Sequence, residues 1–176
     1  MFFKRLHIVY LLALIISACA GKNSKTAKQN NPALLSESLI NANKMYVQQE
    51  SDAIDQYVKA HHSEMQTSGT GLRYLIYKKA NNTEQAAKGK FAKVNYKISL
   101  LDGTECYTSD KTGSKEFLIG QDQVESGLHE GILLMRVGDR AMFILPSHLA
   151  HGLMGDKNMI PPKASVVYNI ELLSLK

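Results

Sequence analysis

One helical stretch set among strands constrains this chain more than any other feature. Between residues 124 and 135 the apolar positions are Val124, Leu128, Ile132 and Met135, the spacing of a helix face. Around it the pattern is that of strands. Val94-Asn95-Tyr96-Lys97-Ile98-Ser99-Leu100 alternates strictly, which predicts a half-buried strand, and Leu101-Asp102-Gly103-Thr104 supplies turn chemistry behind it. Residues 72–77 and 117–119 are short apolar runs of strand type, and 140–146 and 165–175 are stronger ones. Many strands around one short helix predict the α+β class. Gly127 and Gly131 lie inside that helix, where each costs about 1 kcal/mol relative to alanine. Either the helix is short or something approaches its backbone there.

Ahead of the strands the pattern is helical. Leu35, Leu39, Ala42 and Tyr46 share one helical face. A second helical pattern follows, with Ser51 as its cap and Ile54, Tyr57 and Val58 on one side. This pair, within a helical segment at 34–66, reads either as a satellite on the main domain or as a homodimerisation arm at 34–63. The polar, lysine-bearing stretch 20–31 reads as a solvated linker, part of a tether at 19–33. The first residues have the layout of an export signal, 1–18: Lys4 and Arg5, an apolar run at 8–16, then Ser17 and Ala18. That run is too short for a bilayer span, which needs roughly 20 residues. Ile16-Ser17-Ala18-Cys19 resembles a bacterial lipobox. The resemblance implies that Cys19 becomes the first residue and carries lipid, a durable anchor when more than one acyl chain is attached. Ala20 and Gly21 behind it, in place of an acidic run, lean toward an outer-membrane anchor facing the periplasm.

The formal charge of +5 is unevenly distributed. Lys4 and Arg5 leave with the signal, and Lys22, Lys25 and Lys28 sit in the tether. From Glu37 onward 16 basic residues face 16 acidic ones, so the folded body is neutral. A basic footprint for nucleic acid is absent. With Cys19 acylated, Cys106 has no partner for an internal disulfide and reads as a small, half-buried residue. His148 and His151 are three apart, but two imidazoles without a nearby cysteine pair do not make a tetrahedral metal site. The Gly-Thr-Gly at 69–71 lacks the spacing and ending of a phosphate loop. No cofactor is expected.

Four stretches in order, VNYKISLLDG (94–103), FLIGQDQVESGLHEGILLMRVGDRA (117–141), LPSHLAHG (145–152) and IPPKASVVYNIELLSL (160–175), resemble the FKBP-type peptidyl-prolyl isomerases. The resemblance covers residues 70–176. It implies a curved antiparallel sheet wrapped around one short helix, here with an N-terminal helical extension, and looks most like the bacterial lipoprotein members. The implied activity is rotation about X-Pro amides in proline-containing polypeptides, without covalent catalysis. Tyr96, Phe117, Val124, Ile160 and Tyr168 fall on the family's pocket positions, and Leu128 on a floor position where well-known members carry tryptophan. The backbone N–H of Glu125 falls where the family binds a substrate carbonyl, and the Glu125 side chain brings a negative charge to the rim. Cys106 replaces a wall aromatic and Tyr107 a carboxylate associated with efficient turnover. His151 stands where the family has tyrosine, and an imidazole N–H can still donate to a substrate carbonyl. These departures imply an alternative, a catalytically weak binding or chaperone module with the same fold.

Overall fold

The computed structural model describes residues 32–82 and 84–176. The expected signal segment, Cys19 and nearly all of the tether lie outside the described residues. The chain divides into two compact units, Met1–Ile40 and Asn41–Lys176. Helix α1, Pro32–His61, is one element of 30 residues rather than the expected pair. Nothing between residues 33 and 68 is glycine or proline, so no break precedes Ser51. Instead of capping, Ser51 sits within the helix and its Oγ accepts from Arg73 Nη2 at 2.8 Å. The helix also ends earlier than the expected segment, whose last residue, Gln66, begins a strand.

Seven strands follow: β1 Gln66–Thr67, β2 Arg73–Lys78, β3 Phe91–Leu100, β4 Glu105–Thr108, β5 Lys115–Leu118, β6 Arg140–Leu145 and β7 Val166–Leu175. They form one antiparallel sheet in the order β1-β2-β6-β7-β3-β4, with β5 also paired to β3. The alternating stretch seen in the sequence is the middle of β3, which runs beside β7 from Leu100↔Val166 to Ala92↔Leu175. Two short α-helices, α2 at Ser109–Thr112 and α3 at Ser126–Ile132, and two 3-10 turns, Ser147–Leu149 and Gly152–Met154, interrupt the described strands. The helical spacing over 124–135 thus overshoots α3 at both ends. Glu125 is its N-cap in an extended conformation, and Leu133 closes it.

The sheet is covered on both faces. On one side Leu128 and Ile132 of α3 join Val94, Ala141, Phe143, Leu145 and Tyr168 in the main core. A β-carbon at Gly127 would stand 2.6 Å from Leu145 Cγ, and one at Gly131 2.7 Å from Phe143 Cε2. The two glycines therefore let α3 lie against β6. On the other side Ile54 of α1 is fully buried with Met142, Ile144 and Val167. Burial on both faces explains why 141–145 reads as a continuous apolar run instead of alternating. Arg73 of β2 is held to α1 by an ion pair to Asp55 at 2.7 Å.

Candidate active site

β-Strand alternation brings Val94, Tyr96 and Ile98 of β3 to one face, and the register sets Tyr168 and Ile170 of β7 beside them. Leu128 of α3 stands with them in the walls of a cavity of about 270 Å³. Glu125, His151, Tyr107, Lys115 and Asp156 supply its polar groups. Of the residues expected from sequence, Tyr96, Tyr107, Glu125, Leu128, His151 and Tyr168 meet in this cavity. Phe117, Val124, Ile160 and Cys106 do not line it. Phe117 is buried in the core, its ring edge-on to His129 at 5.7 Å. Ile160 is buried likewise, while Val124 and Cys106 are half-buried against the core.

Two pairs organise the polar side. Glu125 turns inward rather than standing at the rim: its side chain is only 11% exposed, and Oε1 meets His151 Nε2 at 3.0 Å. The extended N-cap backbone of Glu125 starts α3 without a side-chain cap, which leaves its carboxylate to this cross-pocket contact. One of the two His151 ring nitrogens, Nε2, is thereby engaged. Glu125 Oε2 is buried, and the Tyr168 phenol lies within hydrogen-bonding reach of the Glu125 carboxylate. Burial and then the nearby Glu125 charge push the Tyr168 phenol well above its usual range. Among the described residues no group accepts from the Glu125 backbone N–H.

The second pair is Tyr107 and Asp156. The Tyr107 hydroxyl donates to Asp156 Oδ2 and accepts from Asn158 Nδ2 at 3.1 Å. Asp156 Oδ1 accepts the backbone N–H groups of Asn158 at 2.9 Å and Ile160 at 2.8 Å. Burial alone would raise the Asp156 carboxyl, but the Tyr107 hydroxyl, the two amides and nearby His151 outweigh it and hold the group below its ordinary value. The hydrogen bond to Asp156, followed by burial, raises the Tyr107 phenol. Tyr107 stands where the family's carboxylate is expected, and a different carboxylate, Asp156, lines the cavity. Burial first, then the charges of Asp156 and Asp102, raise the Cys106 thiol. Tyr96 is fixed at its hydroxyl, 2.9 Å from Thr112 Oγ1 of α2.

Sequence reasoning missed Val94, Ile98, Lys115, Asp156 and Ile170. The strict alternation of β3 held the signal for the first two; no periodicity marks Asp156, which lies in a loop. His148 does not line the cavity; its Nε2 lies 3.0 Å from the carbonyl of Thr70. Among the described residues no cluster of three or more His, Cys, Asp or Glu could hold a metal, and no helix is long and apolar enough to cross a membrane.

An antiparallel sheet and a short helix with a cavity of mixed apolar and polar lining make this an α+β domain. Residues 82–173 match the family model for FKBP-type peptidyl-prolyl cis-trans isomerases. The chain belongs to that family. It is 39% identical over 104 residues to the human peptidyl-prolyl cis-trans isomerase FKBP10, covering 58% of this chain and 18% of that one. It is 32% identical over 111 residues to the probable FKBP-type isomerase FkpA of Neisseria meningitidis, covering 63% of this chain and 40% of that one. The crystal structure of FkpA from Escherichia coli aligns with a TM-score of 0.64 at 25% identity, over 100% of this chain and 83% of that one. The chain spans less than a fifth of the length of the human relative.

Proposed function

We propose that this chain is a peptidyl-prolyl cis-trans isomerase that assists the folding of exported proteins. The observation that supports the reading is a cavity lined by Val94, Tyr96, Ile98, Leu128, Tyr168 and Ile170, with Glu125, whose backbone N–H has no acceptor among the described residues, also in its lining. Rotation about an X-Pro amide must cross a barrier of about 18–20 kcal/mol, because it sacrifices C–N resonance. The twisted amide is less charge-separated than the planar one. An apolar, water-poor pocket therefore favours it over the ground state, and one backbone donor suffices to orient a carbonyl. No nucleophile or proton transfer is needed. Export, lipid on Cys19, an outer-membrane anchor facing the periplasm and a homodimer through α1 complete the proposal. Their support is the sequence layout of residues 1–19 and the exposed apolar side chains of α1.

The polar pairs favour a second reading, a binding or chaperone module with little turnover. Glu125 with His151 and Tyr107 with Asp156 bring charge and hydrogen bonds into a site whose catalysis depends on exclusion of polarity. A protease-coupled or exchange-NMR assay of the full chain on an X-Pro peptide decides. Acceleration at micromolar protein supports the isomerase, and no rate gain at tens of micromolar overturns it. If Tyr107→Asp with His151→Tyr raises turnover tenfold or more, the native site is built for binding.

A further inference from the structure

We infer that Glu50, on helix α1 and outside the pocket, is a positioning residue for the pocket wall formed by the excursion between β6 and β7. The inference rests on the cavity being the working site. Glu50 is 9% exposed. Its Oε1 accepts the backbone N–H of Ser147 at 2.7 Å and the hydroxyl of Ser165 at 2.8 Å, and its Oε2 accepts the hydroxyl of Ser147 at 3.1 Å. Ser147 follows β6 directly after Pro146, and Ser165 immediately precedes β7. One carboxyl group therefore ties together the two ends of the excursion.

What lies between those ends matters for the site. His151 and Asp156 line the cavity from this excursion, and each is paired with a residue on the other side, Glu125 and Tyr107. Both polar pairs thus bridge the excursion to the rest of the domain, and both need its base to be fixed. The excursion is internally braced, with Lys163 N–H on the carbonyl of Gly152 at 2.8 Å and Ile160 N–H on Asp156 Oδ1 at 2.8 Å. Because it is braced in this way, its placement depends on its ends. Tyr46, one helical turn before Glu50, adds a second tie. Its hydroxyl donates to the carbonyl of Lys163 at 2.7 Å, and the Lys163 ammonium lies 4.6 Å from the ring centre. Helix α1 is accordingly part of the machinery that shapes the pocket, not only a spacer between tether and domain.

The test compares the full chain with Glu50→Ala and Glu50→Gln. A glutamine retains an acceptor for the Ser147 N–H and can donate to a serine oxygen, so it restores the tie in part; alanine removes it. In Glu50→Ala, amide exchange at Ile160 and Lys163 accelerates at least tenfold, while Gly138 in the turn before β6 and Leu172 of β7 stay within twofold of wild type. The kcat/KM for an X-Pro peptide falls at least fivefold, and Glu50→Gln recovers most of it. Unchanged exchange at Ile160 and Lys163, equal acceleration at all four amides, or a glutamine variant as impaired as alanine overturns the inference. A wild-type chain without turnover overturns the isomerase reading, and the exchange comparison then decides the role of Glu50 by itself.

Discussion

A tyrosine at 107 and an aspartate at 156 share one hydrogen bond across the pocket, and that bond fixes the loop carrying Asn158 and Ile160. The pairing has a direction in pH. Asp156 is held below its ordinary value of 3.8, so in acid the unfolded chain binds the proton more readily than the folded one. Its contribution to stability is therefore complete above the ordinary aspartate range and is lost as pH falls through the lower, folded value. Denaturation of wild type and Asp156→Asn from pH 7 down to pH 3 reads this out. The stability gap is widest near neutrality and shrinks below about pH 4, an ordinary carboxyl value; a gap that stays constant contradicts the assignment. At this scale the sequence was half legible. Tyr107 stood out through its position in a recognisable motif, but its partner lies 49 residues away in a loop without periodicity.

At the scale of elements the glycines of α3 were the clearest signal. Two helix-weakening residues four apart indicated either a short helix or a close neighbour, and both hold: α3 has seven residues and lies on the Leu145 and Phe143 side chains. A methyl group at 131 must displace the fully buried ring of Phe143, whereas the helix propensity of alanine is better than that of glycine by only about 1 kcal/mol. Overpacking of a dense core costs typically 1–3 kcal/mol. Gly131→Ala is therefore destabilising by up to about 2 kcal/mol net, read as a lower urea midpoint with an unchanged slope. A stabilised variant would mean that Phe143 has room to turn. The long helix α1 was the less legible element. A serine among apolar residues at helical spacing resembles a cap, and only its tertiary partner, the buried Arg73, shows why it can sit mid-helix. Likewise, β6 lost the alternation that marks strands because α1 covers its second face.

For the whole molecule, the question is what the N-terminal helix leaves unpaired. Its later turns are committed to the chain's own sheet: Ile54 is fully buried, Tyr57 and Val58 pack beside it, and Asp55 holds Arg73. A dimer contact through all of 34–63 is therefore narrower than the sequence suggested. Leu35, Leu39 and Ile40 in the first unit, and Met45 and Val47 at the start of the second, remain exposed. Apolar side chains in such a concentration favour association, each fully covered aliphatic residue being worth about 1.5–3 kcal/mol. The neutral charge of the chain from Glu37 onward sets no long-range repulsion against a second copy. If α1 mediates the proposed homodimer, the full chain is expected to sediment as a dimer and Leu39→Glu combined with Val47→Glu to convert it to a monomer. Because both residues are exposed, the variant still unfolds cooperatively, with a midpoint that no longer depends on protein concentration, which separates lost association from lost folding. Ile54→Ala behaves in the opposite way, losing roughly 2–5 kcal/mol of stability by emptying a packed site while the exposed residues are untouched. A wild-type monomer at tens of micromolar, or a double variant that still dimerises, removes α1 from the association surface.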